Sequence, residues 1–168
     1  TDYVVGADAI KAGVLMNSLQ MRGYDQFFMD LAIDVPFAEA LMDRILHTLK
    51  EMWSRYMDAV GEYVQIAYVT DDLGSQSSLL ISPRMFRQLL KPRMKELHDH
   101  IKSCADVKLM FHTDGAVLPL VDDFLEMNVD ILNPVQTSVS GLEDTFALKE
   151  SFGDRLSFHG AIDVQQMM

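Results

Sequence analysis

The 168-residue chain is predicted to be an α/β protein, a partial (β/α)8 barrel of the TIM type with about five parallel strands and outer helices. Short apolar runs alternate with longer amphipathic stretches, and polar side chains follow directly behind four of the runs. No glycine-rich phosphate-binding sequence follows a predicted strand, so a nucleotide-binding sheet is disfavoured. Because a closed barrel needs eight strands and about 250 residues, residues 1–168 are predicted to form a single incomplete barrel domain.

The first predicted strand is followed by three helices. Residues 3–5 are a short β-branched run, and a helical stretch then extends to Arg22. A second helix is predicted over residues 24–33. Pro36 begins the longest helix, since a first helical turn does not need the missing proline N–H, and Gly61 ends it.

The second half continues the alternation. Residues 64–69 are a buried strand, and Ser82 with Pro83 supplies a capping hydroxyl and a first-turn proline for the next helix. Pro92 lies inside that helix, which predicts a kink or break near Lys91. The remaining predictions are strands over residues 107–111, 129–132 and 156–159 and helices over residues 118–127 and 145–152.

Composition excludes several classes of protein. Fourteen lysines and arginines against 25 acidic residues give a net charge of −11, which disfavours binding to nucleic acid. No apolar run reaches the ~20 residues of a membrane span. The single cysteine, Cys104, excludes an internal disulfide, and the first residues lack the features of a signal peptide. We therefore expect a cytoplasmic protein.

Polar residues at the strand ends are the candidate site, because strand-to-helix turns gather on one face of a parallel sheet. Asp71 and Asp72 are adjacent, so in extended backbone one can face the barrel mouth while the other caps or pairs. A histidine and an aspartate two positions apart can hold a metal or orient a substrate. The candidates are Asp71 and Asp72 as catalytic residues, His112 and Asp114 as metal ligands, and Gln76, Asn133, Gln136, His159 and Asp163 as substrate-binding residues.

Each candidate also has a structural interpretation. Asp114 can cap the following helix, and Asn133 and Gln136 can form the turn around Pro134. His112 can be a structural imidazole. The histidines in charged helical surroundings are predicted to lie on the surface: His47, His98 and His100.

Six segments of the chain, in this order and spacing, resemble the uroporphyrinogen decarboxylase superfamily. This superfamily includes haem-pathway decarboxylases and corrinoid-dependent methyltransferases on one barrel fold. Relative to a family member, the chain starts near the middle and stops before the last strand. The segments are residues 70–76, 81–87, 90–93, 112–115, 129–136 and 158–163.

The methyltransferase branch is the closer resemblance. Its members carry His-x-Cys-Gly where this chain has His112 and Asp114, and their His and Cys bind zinc, which holds a thiol as thiolate. Gln136 stands about where related enzymes place an acidic ligand. The resemblance therefore implies methyl transfer between a methylated substrate or a corrinoid protein and a thiol or folate acceptor, with zinc as cofactor and a corrinoid protein as partner.

Two alternatives remain. The decarboxylases, which act on porphyrinogens without a cofactor, have a tyrosine near Leu19 and a serine near Asp71, and they lack His112. A corrinoid- or tetrapyrrole-binding module without catalysis is the other alternative. Because five strands leave two open edges, we also expect the isolated chain to be inactive and to pair, for instance as a homodimer.

Overall fold

A computed structural model, which describes residues 2–162, contains one five-stranded parallel sheet with the strand order β1-β2-β3-β4-β5. The sheet does not close. The predicted α/β class and partial barrel are confirmed. The strands are β1 (Gly6–Ala7), β2 (Ile66–Thr70), β3 (Lys108–His112), β4 (Ile131–Asn133) and β5 (Ser157–Phe158).

Helices follow four of the strands. In chain order they are α1 (Val14–Arg22), α2 (Tyr24–Ile33), α3 (Val35–Val60), α4 (Pro83–Met85), α5 (Lys91–Cys104), α6 (Val121–Glu126) and α7 (Thr145–Phe152). Within residues 2–162, none of them combines the length and the apolar character that a membrane crossing requires.

The two faces of the sheet differ in burial, because successive side chains of a strand point to opposite faces. The outer face is buried beneath the helices through Ala67, Val69, Leu109, Phe111 and Leu132. The inner face remains half-buried and is formed by Ile66, Tyr68, Met110, His112, Ile131 and Asn133. Part of this inner face lines a concavity of about 630 Å³, which is the lumen side of the partial barrel.

The first strand differs from its predicted position. The sequence predicts it over residues 3–5, but pairing with β2 begins at Gly6, opposite Ile66. Tyr3 and Val4 are exposed, since β1 lies at the edge of the sheet and pairs on one side. The prediction therefore places the strand too early in the chain, although the carbonyl of Val5 already accepts from the N–H of Gln65 over 2.8 Å.

The helix that contains Pro92 changes its geometry where the sequence predicts a kink or break. A π-helical turn over Phe86–Leu90 separates α4 from α5, and Pro92 lies in the first turn of α5. Proline has no N–H to donate, and its ring clashes with the carbonyl four residues earlier in a regular helix. The wider π turn removes that clash without ending the helical path.

Candidate metal centre at the strand ends

The strand register brings the candidate residues together. Thr70 of β2 lies opposite His112 of β3, and His112 lies opposite Asn133 of β4. The backbone N–H of His159 donates to the carbonyl of Leu132, which continues the row beyond β5. The carboxyl ends of four parallel strands therefore meet at one edge.

A cluster of one imidazole and two carboxylates lies at this edge. Nε2 of His112 is 3.9 Å from Oδ1 of Asp72 and 3.7 Å from Oδ2 of Asp114. One potential ligand atom from each of the three residues lies within 4.8 Å of the others. These distances are too long for direct hydrogen bonds, whereas a cation placed between the three groups would attract all of them. Asp72, predicted to be catalytic, thus joins the two predicted metal ligands.

The other ring nitrogen of His112, Nδ1, forms a hydrogen bond with Asn133. Nδ1 lies 2.7 Å from Oδ1 of Asn133, and the hydroxyl of Tyr68 donates to the same oxygen over 3.3 Å. A metal-ligating histidine commonly uses its second nitrogen in this way. Asn133, predicted to bind substrate, thus also fixes the orientation of the His112 ring.

The two loops that carry the carboxylates are in backbone contact. The N–H of Gly74 donates to the carbonyl of Asp114 over 3.1 Å, and the N–H of Asp114 donates to Oδ1 of Asp72 over 3.1 Å. Gly115 has a φ of 93°, a conformation that favours glycine. The loops after β2 and β3 are therefore fixed relative to each other, which sets the spacing of Asp72 and Asp114.

The two predicted glutamines support these loops. Oε1 of Gln136 accepts from the N–H of Gly115 over 3.1 Å, and Nε2 of Gln136 donates to Oε1 of Gln76 over 3.3 Å. Gln136 follows β4 and Gln76 follows β2, so the pair connects three strand ends. Nε2 of Gln136 also donates to the hydroxyl of Ser138 over 3.5 Å.

Asp71 is not brought into this cluster. Its side chain is buried, and its two oxygens accept from the N–H groups of Leu15 and Met16, both over 2.8 Å. It therefore caps the N-terminus of α1. Burial raises the pKa of Asp71 to about 7, against the opposing effect of these backbone hydrogen bonds. Of the adjacent pair, Asp72 faces the mouth and Asp71 caps a helix.

The remaining histidines include one incorrect prediction. His98 is predicted on the surface but is buried, and its Nδ1 lies 3.0 Å from the carbonyl of Met127. Burial lowers the pKa of His98 to about 4. Its neighbours in α5 are charged, yet the helix turns this position towards Phe111, whose ring centroid is 5.7 Å away. His47 is exposed, as predicted.

Two residues of the site were missed by the sequence analysis. Tyr68 supports Asn133, and Asp8 lines the concavity beside Tyr68 and His159. Burial raises the pKa of Tyr68, and the charges of Asp8, Asp114 and Asp72 add to the effect. Side chains alternate between the two faces of a strand, so Tyr68 lies on the same face of β2 as Thr70, and this alternation could have predicted its position near the site. Asp163 lies outside the described residues.

The three donors fit a divalent cation. Ligands at about 2.0–2.2 Å from a tetrahedral zinc ion lie about 3.3–3.6 Å apart, so the observed 3.7 and 3.9 Å require a small contraction. Nitrogen with two carboxylate oxygens is an accepted zinc donor set. It is harder than a set that contains thiolate, so it also suits harder divalent ions.

A parallel sheet with its polar site at the carboxyl ends of the strands defines this protein as a member of the α/β-barrel class. The family model described as Uroporphyrinogen decarboxylase (URO-D) matches residues 5–168. The chain therefore belongs to the uroporphyrinogen decarboxylase family.

One solved structure supports this fold. A methyltransferase from Methanosarcina mazei is similar to this chain with 19% sequence identity and a TM-score of 0.64. The match covers 94% of this chain and 42% of the methyltransferase, so the chain spans less than half of that protein's length. A comparison with curated proteins gave no match.

Proposed function

We propose that the full-length protein is a metal-dependent methyltransferase of the uroporphyrinogen decarboxylase family. The observation that carries this proposal is the group of Asp72, His112 and Asp114, whose potential ligand atoms lie within 4.8 Å of one another. In this proposal the methyl group passes between a methylated substrate or a corrinoid protein and a thiol or folate acceptor. The solved methyltransferase with the same fold adds support.

The chain's own residues have distinct tasks in this proposal. Asp72, His112 and Asp114 would hold the cation, which when bound would supply Lewis acidity and favour the thiolate form of a thiol acceptor. Asn133 orients the imidazole, and Gln136 fixes the Asp114 loop through Gly115. The side chain of His112 is half-buried, whereas that of Asp114 is exposed, so the group is reached from the open side of the sheet.

Electrostatics argue against the decarboxylase alternative. After burial, the charges of Asp8, Asp114 and Asp72 raise the pKa of Tyr68, and no lysine or arginine is among the described residues that line the concavity. Uroporphyrinogen, with its eight carboxylates, would be repelled by this surface. Two of the three acidic groups are instead neutralised when a divalent cation is bound.

The experiment is metal analysis of the full-length protein purified without chelators, followed by zinc titration in a calorimeter. We expect about one divalent ion per chain. Loss of a residue that only supports a metal ligand typically weakens metal binding about 10- to 100-fold. His112→Ala removes a direct ligand, so it should weaken zinc binding by more than this. His47→Ala, at an exposed helical histidine, is the matched control and should bind like the wild type.

Activity is then assayed as methyl transfer from methylcobalamin to a small thiol, with decarboxylation of uroporphyrinogen as the comparison. The proposal expects methyl transfer that His112→Ala abolishes and His47→Ala retains. Unchanged turnover in His112→Ala, together with no bound metal in the wild type, would refute it.

A further inference from the structure

Asn133 lies between two histidines and contacts both through its side-chain amide. Oδ1 faces Nδ1 of His112 at 2.7 Å, and Nδ2 faces Nδ1 of His159 at 2.7 Å. Nδ2 also donates to the backbone carbonyl of His159 over 3.3 Å. One amide therefore carries an acceptor towards the first imidazole and a donor towards the second.

The orientation of this amide follows from its partners. A backbone carbonyl only accepts, so the amide atom next to the His159 carbonyl must be the nitrogen. The reversed amide would place two oxygens against each other. The hydroxyl of Tyr68, 3.3 Å from Oδ1, completes the arrangement by donating to the oxygen side. Strand register supports the same geometry, because Asn133 lies opposite His112 in the sheet.

Opposite tautomers of the two histidines follow from the amide orientation. Oδ1 can only accept, so Nδ1 of His112 carries a hydrogen and its Nε2 is the nitrogen available to a cation. Nδ2 can only donate, so Nδ1 of His159 is the acceptor and the hydrogen of the neutral ring is on its Nε2.

We propose that Asn133 selects these two tautomers, so that His112 offers a bare Nε2 to a metal ion and His159 offers an Nε2–H to substrate in the concavity. The part that concerns His112 rests on the proposed function. His159 lines the concavity with Tyr68 and Asp8. Asp8 can only accept when ionised, and the Tyr68 hydrogen is donated to Asn133, so His159 contributes a neutral donor. The ligand chemistry that matches it is a substrate with an acceptor oxygen, such as a carbonyl, carboxylate or ether.

Backbone contacts on the C-terminal side of His159 fix the position of this residue. Gly160 has a φ of 112°, and a Cβ at this position would overlap the carbonyl of Pro134. The N–H of Ala161 donates to that same carbonyl over 2.8 Å. The backbone beyond β5 thus packs directly against the turn after β4, which keeps the His159 ring beside the Asn133 amide.

The test uses nitrogen-15 NMR on histidine-labelled full-length protein at pH 8, above the ordinary pKa of histidine. Each resonance is assigned with a His→Gln variant. In the wild type we expect the Nε2–H form for His159 and hydrogen on Nδ1 of His112. Asn133→Asp replaces the donor by a second acceptor with nearly the same shape, so His159 should change to the Nδ1–H form while His112 stays unchanged.

Asn133→Ala should release both rings into mixed tautomers. His98 is the internal control, because its Nδ1 faces the carbonyl of Met127 and should report the same form in every folded variant. An Nδ1–H form of His159 in the wild type, or an unchanged His159 in a folded Asn133→Asp protein, would overturn the proposal.

Zinc titration separates this proposal from the metal role. Asn133→Ala should weaken zinc binding about 10-fold or more, because the supporting partner of His112 is lost. No zinc binding by the wild type, with the tautomers as expected, would refute the proposed function and still support tautomer selection. Normal zinc binding with the wrong tautomers would refute tautomer selection and leave the metal role supported.

The donor role of His159 has its own test in the methylcobalamin-to-thiol assay. His159→Gln keeps an amide N–H near the position of Nε2, whereas His159→Phe removes the donor and keeps a ring. We expect kcat/KM to fall about 10-fold or more in His159→Phe and to be largely retained in His159→Gln. Equal losses in both variants would contradict hydrogen-bond donation to substrate.

Discussion

Gly115 approaches Gly74 so closely that a Cβ on Gly115 would overlap the Gly74 backbone. Gly115 directly follows Asp114, and Gly74 lies two residues after Asp72, so this contact is close in the chain to two of the candidate metal ligands. Because the loops touch through backbone atoms, the separation of Asp72 and Asp114 does not depend on flexible side chains. The close contact therefore preorganises the cluster.

Gly115→Ala should disrupt both the fold and metal binding. It introduces a side chain at positive φ and a clash with backbone, which cannot move aside easily. Gly23→Ala is the matched control, since Gly23 also has positive φ but no atom lies within 4 Å of the position that an added Cβ would take. We expect Gly23→Ala to cost about 1 kcal/mol of unfolding free energy and to leave zinc affinity unchanged. Gly115→Ala should cost more and weaken zinc binding; equal effects of both substitutions would contradict this.

The sequence predicted the sheet well because apolar runs and proline positions are local signals. It also placed His112 and Asp114 at a strand end, because polar residues that directly follow an apolar strand lie at the carboxyl end of a parallel sheet. The different roles of Asp71 and Asp72 could not be predicted, because they depend on the distant N-terminus of α1, whose N–H groups donate to Asp71. His98 was misassigned for a similar reason: charged neighbours in the sequence do not show which side of α5 faces Phe111.

The metal preference should change when the hard donor at residue 114 is replaced. Asp114→Cys restores the sulfur donor that the resembling methyltransferases carry at this position. Thiolate is softer than carboxylate, so zinc affinity should rise relative to manganese. Competition titrations with the two ions measure the ratio, and Asp114→Asn, a poorer ligand of similar shape, serves as control. A ratio that is the same in all three proteins would show that residue 114 does not contact the ion.

Asp71 should make stability fall as pH rises. Its pKa is about 7 in the folded protein and near 3.8 in the unfolded chain, so the folded state binds the proton more tightly. This contribution is fully present below about pH 4 and is lost as pH rises through 7. Between pH 5 and pH 8 the wild type should lose about 2–3 kcal/mol more unfolding free energy than Asp71→Asn. Urea denaturation at both pH values measures this, and parallel losses would contradict it.

The ion network around Asp123 should contribute strongly to stability. Asp123 is buried in α6, and its oxygens accept from Arg87 over 2.9 Å and from Lys91 over 2.7 Å. Burial raises the pKa of Asp123, but these two partners outweigh burial, and the net shift is downward. Asp123→Asn removes the buried carboxylate that pairs with the mostly buried Lys91 and should cost about 3 kcal/mol. Asp122→Asn, at an exposed neighbour, should cost less than about 0.5 kcal/mol. Similar denaturation midpoints for the two variants would count against this.

The isolated 168-residue chain should show neither methyl transfer nor porphyrinogen decarboxylation. Barrel enzymes draw reacting groups from the ends of several strands, and this sheet has five strands where a closed barrel has eight. Under the proposed function, Asp72, His112 and Asp114 should still bind zinc in the chain by itself, but the concavity beside them is open along the inner face. Metal binding without turnover is therefore the expected result.

Association of the isolated chain is expected for the same reason. β1 and β5 each pair on one side, and the inner face exposes apolar side chains such as Ile66, Met110 and Ile131. A second copy of the chain can cover these groups, so sedimentation should show a dimer or larger species at micromolar concentration. Turnover within about tenfold of the full-length protein, by a compact monomer, would show that the five strands already hold a complete active site. In that case the open inner face would be the substrate entrance and not a surface that another segment must cover.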